Sequence, residues 1–266
     1  MITKVCRVTA LAFGASLFLA GCGANPDGPA TTITFQEAKA LVASDIQDMD
    51  EFGGRVAIDG DSVAVGAGSE AGAGTHRGAV YLFSRNQGGT DAWGEVKKIT
   101  ASDAQPQDQF GWPVVILGDT IVIGAPCEDG QAGIGDNPGA AYIYSRNLGG
   151  VNAWGEVRKL SNSAGEGAFF GVSADISGDF LVIGALYNGG TGLNRDFGAV
   201  YFFSRNEGGA NNWGLLNSTT ASDGEDFDFL GMSASFSGNY AVVGAPNKDG
   251  GGPDRGAAYV FKKSVR

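Results

Sequence analysis

The feature that most constrains the fold is a set of short motifs that recurs four times along the chain. Each copy has a Phe-Gly or Leu-Gly pair, then an apolar segment ending in Gly-Ala, then a strand-like Gly-Ala-x-Tyr segment. A period of about 60 residues indicates an array of supersecondary units that pack on their neighbours. The landmark glycines are Gly53, Gly111, Gly171 and Gly231, and the tyrosines are Tyr81, Tyr142, Tyr201 and Tyr259.

These residues resemble the FG-GAP repeat, found in the amino-terminal head of integrin α subunits and in many bacterial surface proteins. The resemblance implies an all-β fold in which each repeat contributes to a β-propeller. Four short antiparallel strands in each unit are the size of one blade, so we predict four four-stranded blades. Phe52, Phe110, Phe170 and Leu230 are expected at the blade junctions. The predicted domain is 38–266, with approximate repeats at 45–103, 104–163, 164–223 and 224–261.

The two ends of the repeat array predict how a ring would close. Residues 40–45 match the end of the fourth strand of the first unit, at 99–103. The last unit finishes on a third strand, at 256–261, with no fourth strand after it. We therefore expect the N-terminal strand to pair with the last blade, because closure removes exposed strand edges.

The N-terminal residues have the pattern of a bacterial lipoprotein signal. Basic residues precede an apolar run that is too short to favour a membrane-spanning helix, and Leu-Ala-Gly-Cys follows. We predict a signal peptide at 1–21, acylation of Cys22 and a flexible tether at 22–37. Gly23, by resemblance to Gram-negative lipoproteins, argues against inner-membrane retention. The predicted location is therefore the outer membrane of the cell envelope, facing the periplasm or the exterior.

Charge and cysteine content narrow the class of protein further. The chain has 18 Lys and Arg against 29 Asp and Glu, a formal net charge of −11, which argues against a nucleic-acid partner. Of the 3 cysteines, Cys6 leaves with the signal and Cys22 is acylated, so Cys127 has no partner for a disulfide within the mature chain.

Paired aspartates between the fourth strand of one unit and the first strand of the next are the sharpest candidate site. One stands eight residues before the landmark glycine and the other three before it, whereas the third unit has Ser163 and Ala168. Such carboxylates, with loop carbonyls, are ligands for Ca²⁺. The alternative is a turn network in which they accept hydrogen bonds from loop N–H groups. The pairs are Asp45 and Asp50, Asp103 and Asp108, and Asp223 and Asp228.

The resemblance to integrin repeats does not supply a metal site. Calcium-binding repeats of that type have an Asp-rich loop between the first and second strands, where this chain has tight turns such as 59–61. The longer loops between second and third strands vary from unit to unit, as binding loops do. They are expected beside the aspartate pairs, forming an acidic rim with Glu128, Asp129, Asp136, Asp196, Asp249 and Asp254.

No catalytic motif accompanies these carboxylates. His76 is the single histidine, and the sequence has no nucleophile elbow, phosphate-binding loop or zinc-ligand spacing. We therefore expect a non-catalytic binding or adhesion module of the cell envelope, with a protein or polysaccharide ligand; the adhesion role rests on the resemblance. Two alternatives stay open: a structural subunit of an envelope complex, and a metal-assisted hydrolase that uses the rim carboxylates.

Overall fold

The computed structural model describes residues 33–70, 76–128, 137–162, 168–187, 197–249 and 255–264. The chain divides into two units, Met1–Ala40 and Leu41–Arg266. Every regular element in the described part is a β-strand. No helix in these residues is long and apolar enough to cross a membrane. Cys22 and the predicted signal lie outside the described residues.

The second unit contains four antiparallel sheets, which follow one another along the chain and are numbered here as blades 1 to 4. Blade 1 has β1 (Arg55–Asp59), β2 (Ser62–Ala67), β3 (Ala79–Ser84) and β4 (Gly94–Ile99). Blade 2 has β5 (Val114–Leu117), β6 (Thr120–Ala125), β7 (Ala140–Ser145) and β8 (Gly155–Ser161). Blade 3 has β9 (Phe170–Ser177), β10 (Phe180–Ala185), β11 (Ala199–Ser204) and β12 (Gly214–Thr219). In blade 4 the described residues form three strands, β13 (Ser233–Ser237), β14 (Tyr240–Ala245) and β15 (Ala257–Lys262).

Within each blade, tight turns set the pairing of the first two strands. In blade 1, Asp59 pairs with Ser62 and Ile58 with Val63. Gly60, between them, has a φ of 55°, a left-handed conformation that glycine adopts without a steric penalty. This arrangement confirms the tight turn predicted at 59–61. The all-β, four-bladed prediction is confirmed as well.

The hydrophobic core lies between successive blades. Residues on the faces of blades 1 and 2 form one buried cluster, those of blades 2 and 3 a second, and those of blades 3 and 4 a third. Phe110 is fully buried, and its ring meets that of Tyr142 edge to face at a centroid distance of 5.3 Å. Phe170 makes the same contact with Tyr201 at 5.2 Å. The predicted position at a blade junction is therefore confirmed for Phe110, Phe170 and Leu230. Phe52 instead packs on blade 1 alone, with no described blade before it.

The repeated arginines and tryptophans of the turns also have packing roles. Arg146 lies over the ring of Trp154, 4.5 Å from its centroid, and its Nε pairs with Asp119 at 2.6 Å. Arg205 repeats both contacts in blade 3. The stacked cation and the ion pair hold the turn between the first two strands against the end of the third strand.

The predicted pairing of residues 40–45 with the last blade is wrong. Residues 33–46 contain no strand, and β15 is the outermost described strand of blade 4. Ser44 instead binds Glu95 of β4, through both its N–H and its hydroxyl, and Ala43 is buried on the apolar face of blade 1. The end of this segment therefore packs on blade 1, the blade that comes next in the sequence.

Candidate functional site

The aspartate loops, defined as residues 45–50, 103–108 and 223–228, each precede the first strand of a blade. The second aspartate of each loop is almost fully buried. Asp50 accepts a hydrogen bond from the N–H of Gln47 at 2.8 Å, and Asp108 accepts one from the N–H of Gln105 at 2.6 Å. Asp228 does the same with Glu225 at 2.7 Å. These carboxylates close their own loops, as in an Asx turn.

The first aspartate of each loop binds side chains of the blade that follows it. Asp103 Oδ1 accepts a hydrogen bond from the hydroxyl of Tyr142 at 2.7 Å, and its Oδ2 accepts one from Lys159 Nζ at 2.7 Å. Lys159 also forms an ion pair with the buried carboxylate of Glu128. Burial opposes ionisation of Asp103, but the bonds from Lys159 and Tyr142 outweigh it and lower the pKa of the carboxyl.

Blade 1 repeats this network with the same residue types. Asp45 accepts hydrogen bonds from the hydroxyl of Tyr81 and from Lys98 Nζ, both at 2.7 Å. Lys98 also pairs with the buried Glu70 at 2.9 Å. The bond from Lys98, followed by that from Tyr81, lowers the pKa of Asp45. Both lysines come from the fourth strand of their blade.

In blade 4 the lysine has a different origin. Tyr259 donates its hydroxyl hydrogen to Asp223 Oδ1 at 2.8 Å, as the other tyrosines do. Lys248, from the loop after β14, donates to the carbonyl oxygen of Asp223 at 2.6 Å and lies 3.3 Å from Asp228. Lys248 occupies the sequence position that Glu70 and Glu128 hold in blades 1 and 2. The loop thus supplies the positive charge in a blade for which the described residues contain three strands.

The structural equivalent of the first aspartate in the third unit is Asn162, one residue before the expected Ser163. Asn162 Oδ1 accepts a hydrogen bond from the hydroxyl of Tyr201 at 2.9 Å. Counting back from the landmark glycine missed it, because the segment between this position and Gly171 is one residue longer than in the second unit. The third unit therefore lacks both acidic side chains, but its first position is held by Asn162 and not by the expected Ser163. The hydrogen-bond acceptor is kept, although the charge is lost; Ser163 lies outside the described residues.

The donor sets of the aspartate loops do not fit a calcium cage. Calcium takes 6–8 oxygen ligands, whereas these carboxylates accept hydrogen bonds from an ammonium, a phenol and backbone N–H groups. The described part of the chain contains no group of three or more His, Cys, Asp or Glu residues placed to hold a metal. The geometry favours the turn network, and calcium binding stays a prediction.

The expected acidic rim is only partly visible. Glu128 is buried against Lys159 and is not available at a surface. Asp249 is exposed in the loop after β14. Asp129, Asp136, Asp196 and Asp254 lie outside the described residues.

A row of aromatic rings, which the repeat motifs do not predict, joins the connecting loops of blades 3 and 4. The ring of Tyr187, from the loop after β10, lies 5.1 Å from that of Phe169 and 5.2 Å from that of Phe229. Phe227 extends the row, 6.2 Å from Phe229, and its side chain is about half exposed. The other three residues are partly exposed. These four residues are called the aromatic row below.

Blades 1 and 2 have polar residues at the positions of the two phenylalanines that precede the landmark pairs. Glu51 and Gln109 stand at the positions of Phe169 and Phe229, directly before the landmark pair. Glu51 accepts a hydrogen bond from Ser69 at 2.9 Å. The sequence signal was therefore present, because two of the four units replace a polar residue by phenylalanine at one repeat position.

Cys127, the free cysteine of the described residues, is partly buried after β6. Its thiol lies 3.5 Å from Gln109 Oε1. Burial, and then the nearby charge of Asp108, raises the pKa of the thiol. The thiolate is the reactive form of cysteine, so these surroundings disfavour a nucleophilic role.

Comparisons with known proteins agree with this architecture. The computationally designed Ika4 protein, known from a crystal structure, matches with a TM-score of 0.50 at 13% identity, covering 86% of this chain and 99% of its own. At this identity the likeness concerns the fold alone. No curated protein matches the chain. A family model described as FG-GAP repeat matches residues 35–83, 93–144, 154–203 and 213–261. The chain therefore belongs to the FG-GAP repeat family.

Proposed function

We propose that the protein is a non-catalytic binding module of the bacterial cell envelope, held at the outer membrane by a lipid on Cys22. Its ligand binds at the aromatic row formed by Phe169, Tyr187, Phe229 and Phe227. Ligand surfaces are commonly placed on loops that a rigid arrangement of strands positions. The aromatic row is the observation that carries the proposal.

The aspartate loops support this role by fixing the position of the row. Asp228 closes the loop that carries Phe227 and Phe229, through its bond from the N–H of Glu225. The N–H of Tyr187 donates to the carbonyl oxygen of Ala168 at 3.3 Å. Because these loops are held by internal hydrogen bonds, the rings need little ordering when a ligand binds, which favours affinity.

The chemistry of the row favours binding of a polysaccharide over catalysis. Aromatic rings present a negative face and supply large contact areas, and a sugar ring offers polarised C–H groups to such a face. An active site needs convergent ionisable groups in a pocket, whereas the buried carboxylate of Asp228, beside this row, closes its own loop. The adhesion role itself rests on the likeness to integrin-type repeats.

A glycan array provides the test, with the wild type compared with the variant Tyr187→Ala/Phe229→Ala. Loss of two central rings should weaken binding to any recognised polysaccharide by roughly tenfold or more, on the scale of aromatic anchors at interfaces. Leu148→Ala/Val151→Ala, which alters exposed residues of a turn in blade 2, serves as the matched control. Equal binding by wild type and the ring variant would place the ligand elsewhere. Binding to a protein partner that is lost with the rings would reassign only the ligand class.

A further inference from the structure

Blades 1 and 4 each have one face that no other blade covers in the described part of the chain. Packing between blades follows the chain, with β5 on β1 and β2, β9 on β5 and β6, and β13 on β9 and β10. No comparable packing joins β13 to β1. The two end faces therefore remain open to a partner.

Residues at equivalent repeat positions show what the end face of blade 1 lacks. Ile58 is 66% exposed, whereas Ile116 and Ile176, its equivalents in blades 2 and 3, are 7% and 6% exposed. Val56 is also exposed, although its equivalent Val114 is buried. The internal blades bury these positions against the preceding blade, so blade 1 has the surface of a blade whose predecessor is missing.

The uncovered face of blade 4 also has apolar residues that are exposed, although their equivalents in other blades are buried. Val260 is 65% exposed, whereas Leu82 and Ile143 at the same position are 2% and 0% exposed. Val242 is 45% exposed, and its equivalent Val122 is fully buried. These positions contact the following blade elsewhere in the array, so blade 4 has the surface of a blade whose successor is missing.

Backbone packing agrees with the side chains. At the junction of blades 3 and 4, a methyl group built on Gly231 would lie 2.7 Å from the carbonyl oxygen of Ala199 in the preceding blade. Gly53, the equivalent in blade 1, has a φ of +91° and nothing within 4 Å of the same point. Its backbone thus has the conformation of a blade junction without the neighbouring blade.

A cavity lies between blades 3 and 4, where the other two junctions each hold a tryptophan ring. Its volume is about 680 Å³, and its lining includes Phe202, Phe236 and Phe261. At the two other junctions, buried Trp154 and Trp213 from the start of a fourth strand belong to the corresponding apolar clusters. No fourth strand is found for blade 4 among the described residues, so none of them supplies such a ring.

The N-terminal segment holds a residue suited to that place. Phe35 stands where the other repeats have Trp93, Trp154 and Trp213, since the family matches begin at 35, 93, 154 and 213. Its side chain is 96% exposed. Ala40 follows where blades 1 and 2 have their lysine, so it would bring no second cation to Lys248. Residues 35–41 therefore have the sequence expected of a fourth strand for blade 4, whose described residues form three.

We propose that two copies of this chain associate head to tail, with blade 4 of one copy packed on blade 1 of the other. Residues 35–41 of the second copy pair with β15 and place Phe35 in the cavity. The chain already forms this type of junction three times between its own blades, which argues for a second copy as the occupant. Two copies of four blades would close a ring of eight through two identical junctions. Eight blades lie within the range of about 4–8 that is typical of propellers.

One contact across the new junction can be specified. Within the chain, Lys263 Nζ lies 3.7 Å from the centroid of the Phe180 ring in the preceding blade. The equivalent positions of the intermolecular junction hold Arg85 and Tyr240. Tyr240 is half exposed, and Arg85 is the less buried counterpart of Arg146. A cation–π contact between them is expected.

Sedimentation velocity of the purified chain tests the proposal. The wild type should sediment at twice the mass of one chain, while Ile58→Asp and Val260→Asp should each sediment as monomers. Both positions are exposed in the single chain, so these variants should still unfold cooperatively, at a lower temperature than the wild type because the partner that stabilises its folded state is lost. Val151→Asp, at an exposed position in a turn of blade 2, should remain dimeric.

Mixing the two monomeric variants distinguishes the head-to-tail arrangement from other dimers. Each variant keeps the face that the other has lost, so the mixture should recover a dimer through one intact junction. A monomeric wild type at all concentrations would overturn the proposal. A dimer that persists in either single variant, or that fails to return on mixing, would do so too.

Discussion

The hydroxyl of Tyr201 donates a hydrogen bond to Asn162 Oδ1 at 2.9 Å, the same contact that Tyr142 makes with Asp103 at 2.7 Å. One contact survives in a unit that has lost the acidic side chain. What the repeat preserves is therefore a hydrogen-bond acceptor for a buried tyrosine. This makes the first position of the aspartate loop part of the fold and provides a natural model for the asparagine variants below.

Substitutions of Asp103 should separate its two contacts. Asp103→Asn keeps an acceptor for Tyr142 but loses the ion pair with Lys159, and should cost about 0.5–1 kcal/mol, as for a partly exposed pair. Asp103→Ala also leaves the Tyr142 hydroxyl without this acceptor, which should add about 1–3 kcal/mol. Urea unfolding measures both free energies. Equal losses for the two variants would contradict a separate role for the tyrosine bond.

The lowered pKa values of Asp45 and Asp103 predict how stability depends on pH. The pKa of an aspartate in an unfolded chain is about 3.9. The folded state lowers the pKa of these two carboxyls, so they stay ionised to lower pH. Their contribution should be complete above about pH 5 and should be lost as pH falls through about 4 towards the folded-state values. The variant Asp45→Asn/Asp103→Asn should show a shallower loss of unfolding free energy over that window. An unchanged slope would contradict the assignment.

Gly66 should tolerate no side chain, because blade 2 approaches it closely. A methyl group there would lie 2.5 Å from the carbonyl oxygen of Gly111. Gly66→Ala should lower the free energy of unfolding by about 1–3 kcal/mol, through overpacking. Gly68→Ala is the matched control, since nothing lies within 4 Å of its added methyl group, and it should change stability by less than about 0.5 kcal/mol. Thermal melts of the two variants that coincide would contradict the close approach.

Replacement of Cys22 should release the protein from membranes. A lipid chain supplies membrane affinity in proportion to its buried methylene groups, and Cys22→Ser removes its attachment point. Fractionation of cells should therefore recover the variant in the soluble fraction and the wild type with the outer membrane. Cys127→Ser, which alters the cysteine beside Gln109, is the control and should stay with the wild type. A Cys22→Ser variant that still sediments with membranes would show that another anchor operates.

The strands and blade junctions could be predicted because each repeats with a physical reason. Phe110 and Phe170 fill the same place between blades, and glycines such as Gly60 fix the turns. The fate of residues 40–45 could not be predicted in this way. Their sequence matches a fourth strand, but Ala43 is buried on blade 1 and Ser44 binds Glu95. Repeat phase gives the type of element that a segment resembles, whereas tertiary contacts decide which blade it joins.

The candidate site was less predictable, since its partners are distant in sequence. The aspartate pattern identified the loops, but Lys98 and Lys159 come from fourth strands beyond the expected site. Lys248 supplies the charge from a different loop position. The aromatic row depends on ring contacts between two units, such as Tyr187 with Phe229, and a search within single motifs does not find contacts of this kind.

Thermal melting with and without Ca²⁺ most directly tests whether the aspartate loops are part of the fold. A ligand that binds only the native state must raise its stability. If Asp103 and Asp108 serve Lys159, Tyr142 and their own loop, the wild type should melt at the same temperature with and without Ca²⁺. Asp103→Ala/Asp108→Ala should melt at a lower temperature that is equally insensitive to the ion. A calcium-dependent rise in the wild type that the double variant loses would contradict the account.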